Sequence, residues 1–266
     1  DYEEAARLLD QVEAAGVPPA SLRFERAALA SLRGQTDLAL AGLKELVAQD
    51  KENVRAWALL ALLTSAGRDP ETHERALKAL KDQQGSSPDV RLMLAELYVG
   101  RKDWAAARGE LEQVVRMNPR QVRAWEMLVS VDFQERKREL AEDHVRILLT
   151  LAPENFTGNL MLGSFQYALG QHSLAESSYR TALKSRREPT VLNDLACLLM
   201  LKEGGSEEAR ALIEEALAAQ PANPVFLSTR GELNLREGRH DEAERDLQRV
   251  LELAPGNVQA LLLSAE

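Results

Sequence analysis

Residues 122–155 read VRAWEMLVSVDFQERKRELAEDHVRILLTLAPEN, and the spacing inside this stretch decides the fold. Ala141, Val145 and Leu148 fall at offsets of four and three, which puts all three on one face of a helix. The small alanine lets a neighbouring backbone come close, and the two larger residues fill the space beside it. Pro153 closes the run, because proline has no backbone N–H to donate inside a helix. An earlier run, Trp125-x-x-Leu128-Val129, has its own helical spacing and is separated from the second by the break around Arg136. The unit is therefore a first helix (helix A), a short turn, and a second helix (helix B).

The unit recurs along the whole chain. Stepping by 34 residues gives Ala5, Ala39, His73, Ala107, Ala141, Ala175, Ala209 and Ala243. Four residues later come Leu9, Leu43, Leu77, Leu111, Val145, Tyr179, Ile213 and Leu247; three later again come Val12, Leu46, Leu80, Val114, Leu148, Ala182, Ala216 and Val250. At the chain's apolar content, one such column arises by chance with odds of about 0.002, so two adjacent columns are not an accident. Pro119, Pro153, Pro221 and Pro255 stand on the same ruler, as do Gly34, Gly170, Gly204 and Gly238 at the break between helices, where a left-handed residue is expected. Arg68, Lys102 and Arg136 occupy the remaining break positions. Three units depart locally. His73 stands in the alanine column with Ala76 displaced and Gly67 arriving early, Arg187 replaces proline two residues before Pro189, and Leu192, Leu195 and Ala196 fit helix A one residue off register.

Composition agrees with this reading. Hydrophobic residues are 45% of the 266, aromatics only 5%, and helix formers dominate. The formal charge of −9 opposes a phosphate backbone or an anionic membrane, and the basic runs Arg136–Arg138 and Lys184–Arg187 read as solvated loops or helix ends. The single cysteine, Cys197, cannot form an internal disulfide. No apolar run approaches the ~18 residues of a membrane span.

The pattern Trp-x-x-Leu-small, followed by Ala, a large apolar residue, Ala or Val, and Pro at 34-residue spacing, resembles the tetratricopeptide repeat (TPR). The resemblance runs through the chain and implies an all-α, right-handed solenoid of antiparallel helix pairs, a TPR superhelix. The ruler divides the chain into a half repeat (1–19), full repeats at 20–53, 54–87, 88–121, 122–155, 156–189, 190–223 and 224–257, and the start of another at 258–266. With no capping sequence at either end, a parent chain running on in both directions is expected.

No catalytic, cofactor or metal site is expected. Phosphate-loop and nucleophile-elbow patterns are absent, His172 and His240 are repeat equivalents too far apart to share a metal, and His73-Glu74 lacks a second histidine four residues on. Strict register puts Cys197 at the small helix-packing position as an inert buried thiol; the one-residue slip would turn it toward the inner face.

The resemblance implies that A helices line a concave groove that takes a peptide or helix from a partner protein. Four residues past the small position stand Ser31, Ser65, Val99, Phe133, Tyr167, Leu201 and Leu235; one past it stand Ala28, Leu62, Glu96, Ser130, Ser164, Leu198 and Glu232. A groove from the fourth to the eighth repeat is expected, with Val99, Phe133, Tyr167, Leu201 and Leu235 as its apolar floor, hydroxyls at Ser130 and Ser164, and acidic points at Glu96 and Glu232. It suits an amphipathic or apolar-basic segment, without nucleic acid or direct membrane insertion. The lysine–asparagine carboxylate clamp of chaperone-binding TPR domains is missing, since its places hold Leu92, Glu96, Glu126, Ser130, Leu160 and Ser164. Leu192–Ala196 and Pro221–Pro224 resemble bacterial TPR scaffolds of envelope assembly and exopolysaccharide export, in the cytoplasm or periplasm. The rival expectations are a substrate-selecting region of a larger enzyme such as a glycosyltransferase, and self-association through repeat ends.

Overall fold

The computed structural model describes residues 2–65, 69–84, 87–257, 261 and 263, apart from the side chains of residues 20 and 84. Gly67, Arg68 and most of the further helix expected at 258–266 therefore lie outside the described residues. Two compact units divide the chain, 1–137 and 138–266. The first holds α1 (Tyr2–Ala14), a 3-10 turn (Pro19–Leu22), α2 (Arg23–Leu32), α3 (Thr36–Gln49), α4 (Val54–Thr64), α5 (Pro70–Gln84), α6 (Pro88–Gly100), α7 (Trp104–Met117) and α8 (Val122–Gln134). The second holds α9 (Arg138–Leu151), α10 (Phe156–Ala168), α11 (His172–Ser185), α12 (Pro189–Leu199), α13 (Ser206–Ala219), α14 (Pro224–Arg236) and α15 (His240–Leu253). No strand occurs among the described residues. The expected all-α solenoid of helix pairs is the observed fold: α2/α3, α4/α5, α6/α7, α10/α11, α12/α13 and α14/α15 are hairpins, and all but the last pack on the next element of their unit.

The periodic columns are the core. Ala39, Leu43, Ala107, Leu111, Val114, Ala141, Leu148, Ala175, Ala182, Ala209, Ile213, Ala243 and Val250 are all fully buried. At Gly163 a Cβ would stand 2.7 Å from ring carbons of Tyr179, so the aromatic in the large column requires the missing side chain on helix A. In α5 the packing alanine is Ala76 rather than His73: Ala76 and Leu80 are fully buried four residues apart, and His73 Nδ1 instead approaches the Ala61 carbonyl at 2.9 Å.

The turns explain the remaining columns. The indole N–H of Trp57 donates to the Lys51 carbonyl and that of Trp125 to the Pro119 carbonyl, both at 2.8 Å. Asn159, one repeat after Trp125, donates to the Pro153 carbonyl at 2.9 Å. Tryptophan is thus used as much for the polar tip that satisfies a turn carbonyl as for its bulk. Helices α2, α8, α10 and α14 end before a left-handed residue, Gly34, Arg136, Gly170 and Gly238. Lys102 and Arg136 adopt φ of 60° and 57° without being glycine, a conformation that strains a side-chain-bearing residue.

The register slip in the seventh repeat is real. Glu188 precedes Pro189 at the first position of α12, and Ala196, not Cys197, is the fully buried small residue. The helix ends at Leu199, and the longer turn through Gly204 restores the ruler for α13.

Candidate functional site

Each A helix can be indexed from its buried small residue: Ala27 in α2, Ala61 in α4, Ala95 in α6, Val129 in α8, Gly163 in α10, Ala196 in α12 and Gly231 in α14. In the first unit α2, α4 and α6 touch one another side by side, and a cavity of about 460 Å³ opens between them. Only these three helices line it. Phe24, Ala28 and Leu32 come from α2, Ala58, Leu59 and Leu62 from α4, and Met93 and Leu97 from α6. Leu32 and Leu62 are 63% and 57% exposed, a large apolar exposure for adjacent helices. Two charged side chains, Arg55 and Glu96, also reach the lining. The Arg55 guanidinium lies 4.1 Å from the Phe24 ring centroid, and Glu96 accepts two hydrogen bonds from Arg123 at 2.9 and 2.7 Å. The lining positions lie six, three or two before the small residue and one, two, four or five after it, Ser31 being the residue four after. Hence these positions face away from the B helices.

The candidate residues read from the sequence distribute as follows. In the first unit Glu96 lines the cavity, Val99 is partly buried against the core, and Phe133 is 47% exposed. Ser130 spends its hydroxyl on its own helix, donating to the Glu126 carbonyl at 3.1 Å. In the second unit Tyr167 is 43% exposed and meets His172 edge-on at 5.6 Å between centroids. Ser164 donates to the Leu160 carbonyl at 3.0 Å and accepts from the Tyr179 hydroxyl at 3.4 Å. Glu232 pairs with Arg236 at 2.7 Å, and Leu235 packs partly against the core. The slip moves the place equivalent to Phe133 and Tyr167 onto Met200, and puts exposed Leu201 at the place of Leu32. Glu96 and Glu232 are therefore partnered acids rather than unopposed acidic points.

Sequence reasoning placed the apolar floor on the column four past the small residue and so passed over Phe24, Leu32, Leu59 and Met93. Reading the columns at three before, two before and five after would have found them.

The slip also settles Cys197. It stands one past the small position, partly buried, with Sγ 3.6 Å from Thr229 Oγ1, and burial pushes its thiol up from the ordinary value. A raised thiol is a poor nucleophile. Among the described residues no group of three His, Cys, Asp or Glu could hold a metal ion, and no helix is long and apolar enough to cross a membrane.

Comparison with known proteins places this architecture. Residues 198–258 match a tetratricopeptide repeat family, and residues 157–189 match another tetratricopeptide repeat family. The chain is a tetratricopeptide-repeat protein. Residues 22–137 of this TPR protein match a domain of unknown function, DUF7017. Its fold is similar to that of yeast Tom70, at a TM-score of 0.62 and 16% identity over 99% of this chain and 57% of that one. It is also similar to the Pseudomonas aeruginosa pilF protein, at 0.59 and 15% over 92% and 96% of the two chains. PilW, a type IV pilus biogenesis factor, gives 0.52 and 16% over 94% and 100%. No curated protein matches the TPR chain in sequence.

Proposed function

We propose that this TPR protein is a non-enzymatic scaffold that holds a segment of a partner protein along the face of its A helices, the concave groove expected from the repeat. The observation that carries the reading is the cavity of α2, α4 and α6, whose lining leaves Leu32 and Leu62 in solvent. Apolar side chains of this size would be buried if packing alone governed the position, and each gains about 1.5–3 kcal/mol on full burial. A partner that inserts an apolar side chain there collects that free energy without displacing any core residue. Phe133, in the same unit, and Tyr167, in the other, are exposed aromatics at equivalent places and supply further anchors.

The setting we propose is bacterial envelope assembly, in pilus or polysaccharide secretion. What supports it is the similarity in fold to the pilF protein and PilW over nearly their full lengths, together with the texture of Leu192–Ala196 and Pro221–Pro224.

The test is affinity capture from a bacterial lysate with three proteins side by side: the parent chain, Leu32→Asp/Leu62→Asp, and Leu38→Asp/Leu174→Asp. The second pair is as exposed as the first but lies on B helices. A protein captured by the parent and the B-helix variant but lost with the A-helix variant supports the reading. Equal capture by all three overturns it.

A further inference from the structure

Resting on the reading above, we propose that the A-helix face of the second unit takes a basic side chain, lysine or arginine, of an extended partner segment at Asp194. Asp194 lies two before the small residue of α12. The corresponding residues of the first unit are Glu25, Leu59, Met93 and Met127; Leu59 and Met93 line the open cavity there and Glu25 pairs with Arg55 at its edge, so the repeat geometry puts this carboxylate on the partner-facing side.

Three features of its surroundings point to a cationic occupant. Asp194 is partly buried yet forms no ion pair among the described residues, and only the neighbouring Asn193 side chain favours its charged form. Asn193 is only 4% exposed and Ser228 only 2%, and neither Asn193 Oδ1 nor Ser228 Oγ has a hydrogen-bond partner. These two residues hold the same repeat position, three before the small residue, on α12 and α14, which touch. Buried polar atoms are partnered in the great majority of native sites, so unfilled oxygens on Asn193, next to Asp194 in the chain, and on Ser228 of the adjoining helix mark a region where hydrogen-bond donors belong. The other groups of this face are neutral (Ser164, Cys197, Thr229) or closed on each other as an ion pair (Glu232 with Arg236), so Asp194 is the charge left uncompensated and a cation is favoured there. Burial also holds the Asp194 carboxyl above the ordinary carboxylate range, as an uncompensated charge should be. An ammonium or guanidinium head carries three to five donors on a long apolar stem, which suits a partly buried carboxylate. A divalent ion would need more oxygen ligands than the place supplies.

The probe is a phage-displayed library of random nonapeptides, selected on the intact chain and on Asp194→Asn. That variant keeps the side-chain shape, and its helical circular dichroism is checked first. The expected result is enrichment of peptides with Lys or Arg at one position on the parent chain, lost with the variant. One selected peptide and its Lys→norleucine analogue are then measured by fluorescence anisotropy. The lysine form should bind the parent chain about tenfold tighter than the analogue, and Asp194→Asn should reduce that ratio to within about twofold. Enrichment of apolar peptides without a basic position, or a lysine preference that survives Asp194→Asn, overturns the inference while leaving the scaffold reading intact. Enrichment of nothing overturns both.

Discussion

Two residues before the small position, α4 and α6 of the first unit carry Leu59 and Met93, and α12 and α14 of the second carry Asp194 and Thr229. Three before it, α2 and α4 carry Phe24 and Ala58, and α12 and α14 carry Asn193 and Ser228. One face is an apolar cavity and the other a polar strip, yet both are mounted on the same core. Leu111 of α7 and Ile213 of α13 are equivalent and fully buried. The arginines that bridge α7 to α8 and α13 to α14 are equivalent too: Arg108 contacts Asp132 and Glu135, and Arg210 contacts Asn234 at 2.8 Å and Glu237 at 2.5 Å. The difference teaches that the repeat fixes the packing columns and leaves the open-face columns to be written independently in each unit.

The shared scaffold can be tested hardest at the bridges. Asp132 is fully buried against Arg108, so Asp132→Ala should cost ~3–5 kcal/mol by removing the buried half of the ion pair and leaving the guanidinium with Glu135 alone. The equivalent Asn234→Ala removes a neutral partner and should cost only ~1–2 kcal/mol. Urea unfolding of both variants measures the gap, and equal losses would dissolve the distinction between a charged and a neutral bridge. Next in size, Leu111→Ala and Ile213→Ala should each cost ~2–5 kcal/mol as buried cavities. Either one proving neutral would break the claim that both units stand on the same core.

The open-face residues should behave oppositely. Phe133→Ala with Tyr167→Ala should leave helicity and melting within about 0.5 kcal/mol of the parent while weakening partner capture. A large loss of stability would show that both rings are core after all.

Asp194→Asn sharpens the comparison at the smallest scale. Burial raises the folded carboxyl above its unfolded value, so the native state binds the proton more tightly. Stability is therefore complete below the unfolded value and falls as pH climbs through the folded one. The variant should melt higher than the parent at pH 8 and show no difference near pH 3, by differential scanning calorimetry. A higher melting point at both pH values would assign the effect to packing rather than charge.

Much of the scaffold was legible because it is periodic. Ala39, Leu43 and Leu111 announce themselves at 34-residue spacing, and each is buried for the reason that spacing implies. The break column predicted left-handed residues, and Lys102 and Arg136 adopt that conformation even without glycine. Asn159 was the harder case. It looks nothing like tryptophan, and only the turn carbonyl it satisfies shows why it can replace one. The open face was legible in part, because what lines it depends on how adjacent A helices sit side by side. Glu96 emerged from its column, but Phe24 and Met93 meet at the cavity from different columns of different helices. The pairing of Glu96 with Arg123 joins residues 27 apart, and no single-column reading contains it.

The most direct test of the central claim is site-specific photo-crosslinking. A benzophenone-bearing residue is placed at Leu62 on α4, or at Leu174 on α11, which is similarly exposed on a B helix. Each protein is irradiated in the presence of the captured partner. The account predicts an adduct from position 62 that competes away with excess unlabelled partner, and none from position 174. Adducts from 174 alone, or equally from both, would contradict it, because the exposed leucines of the A helices would then not be what the partner covers.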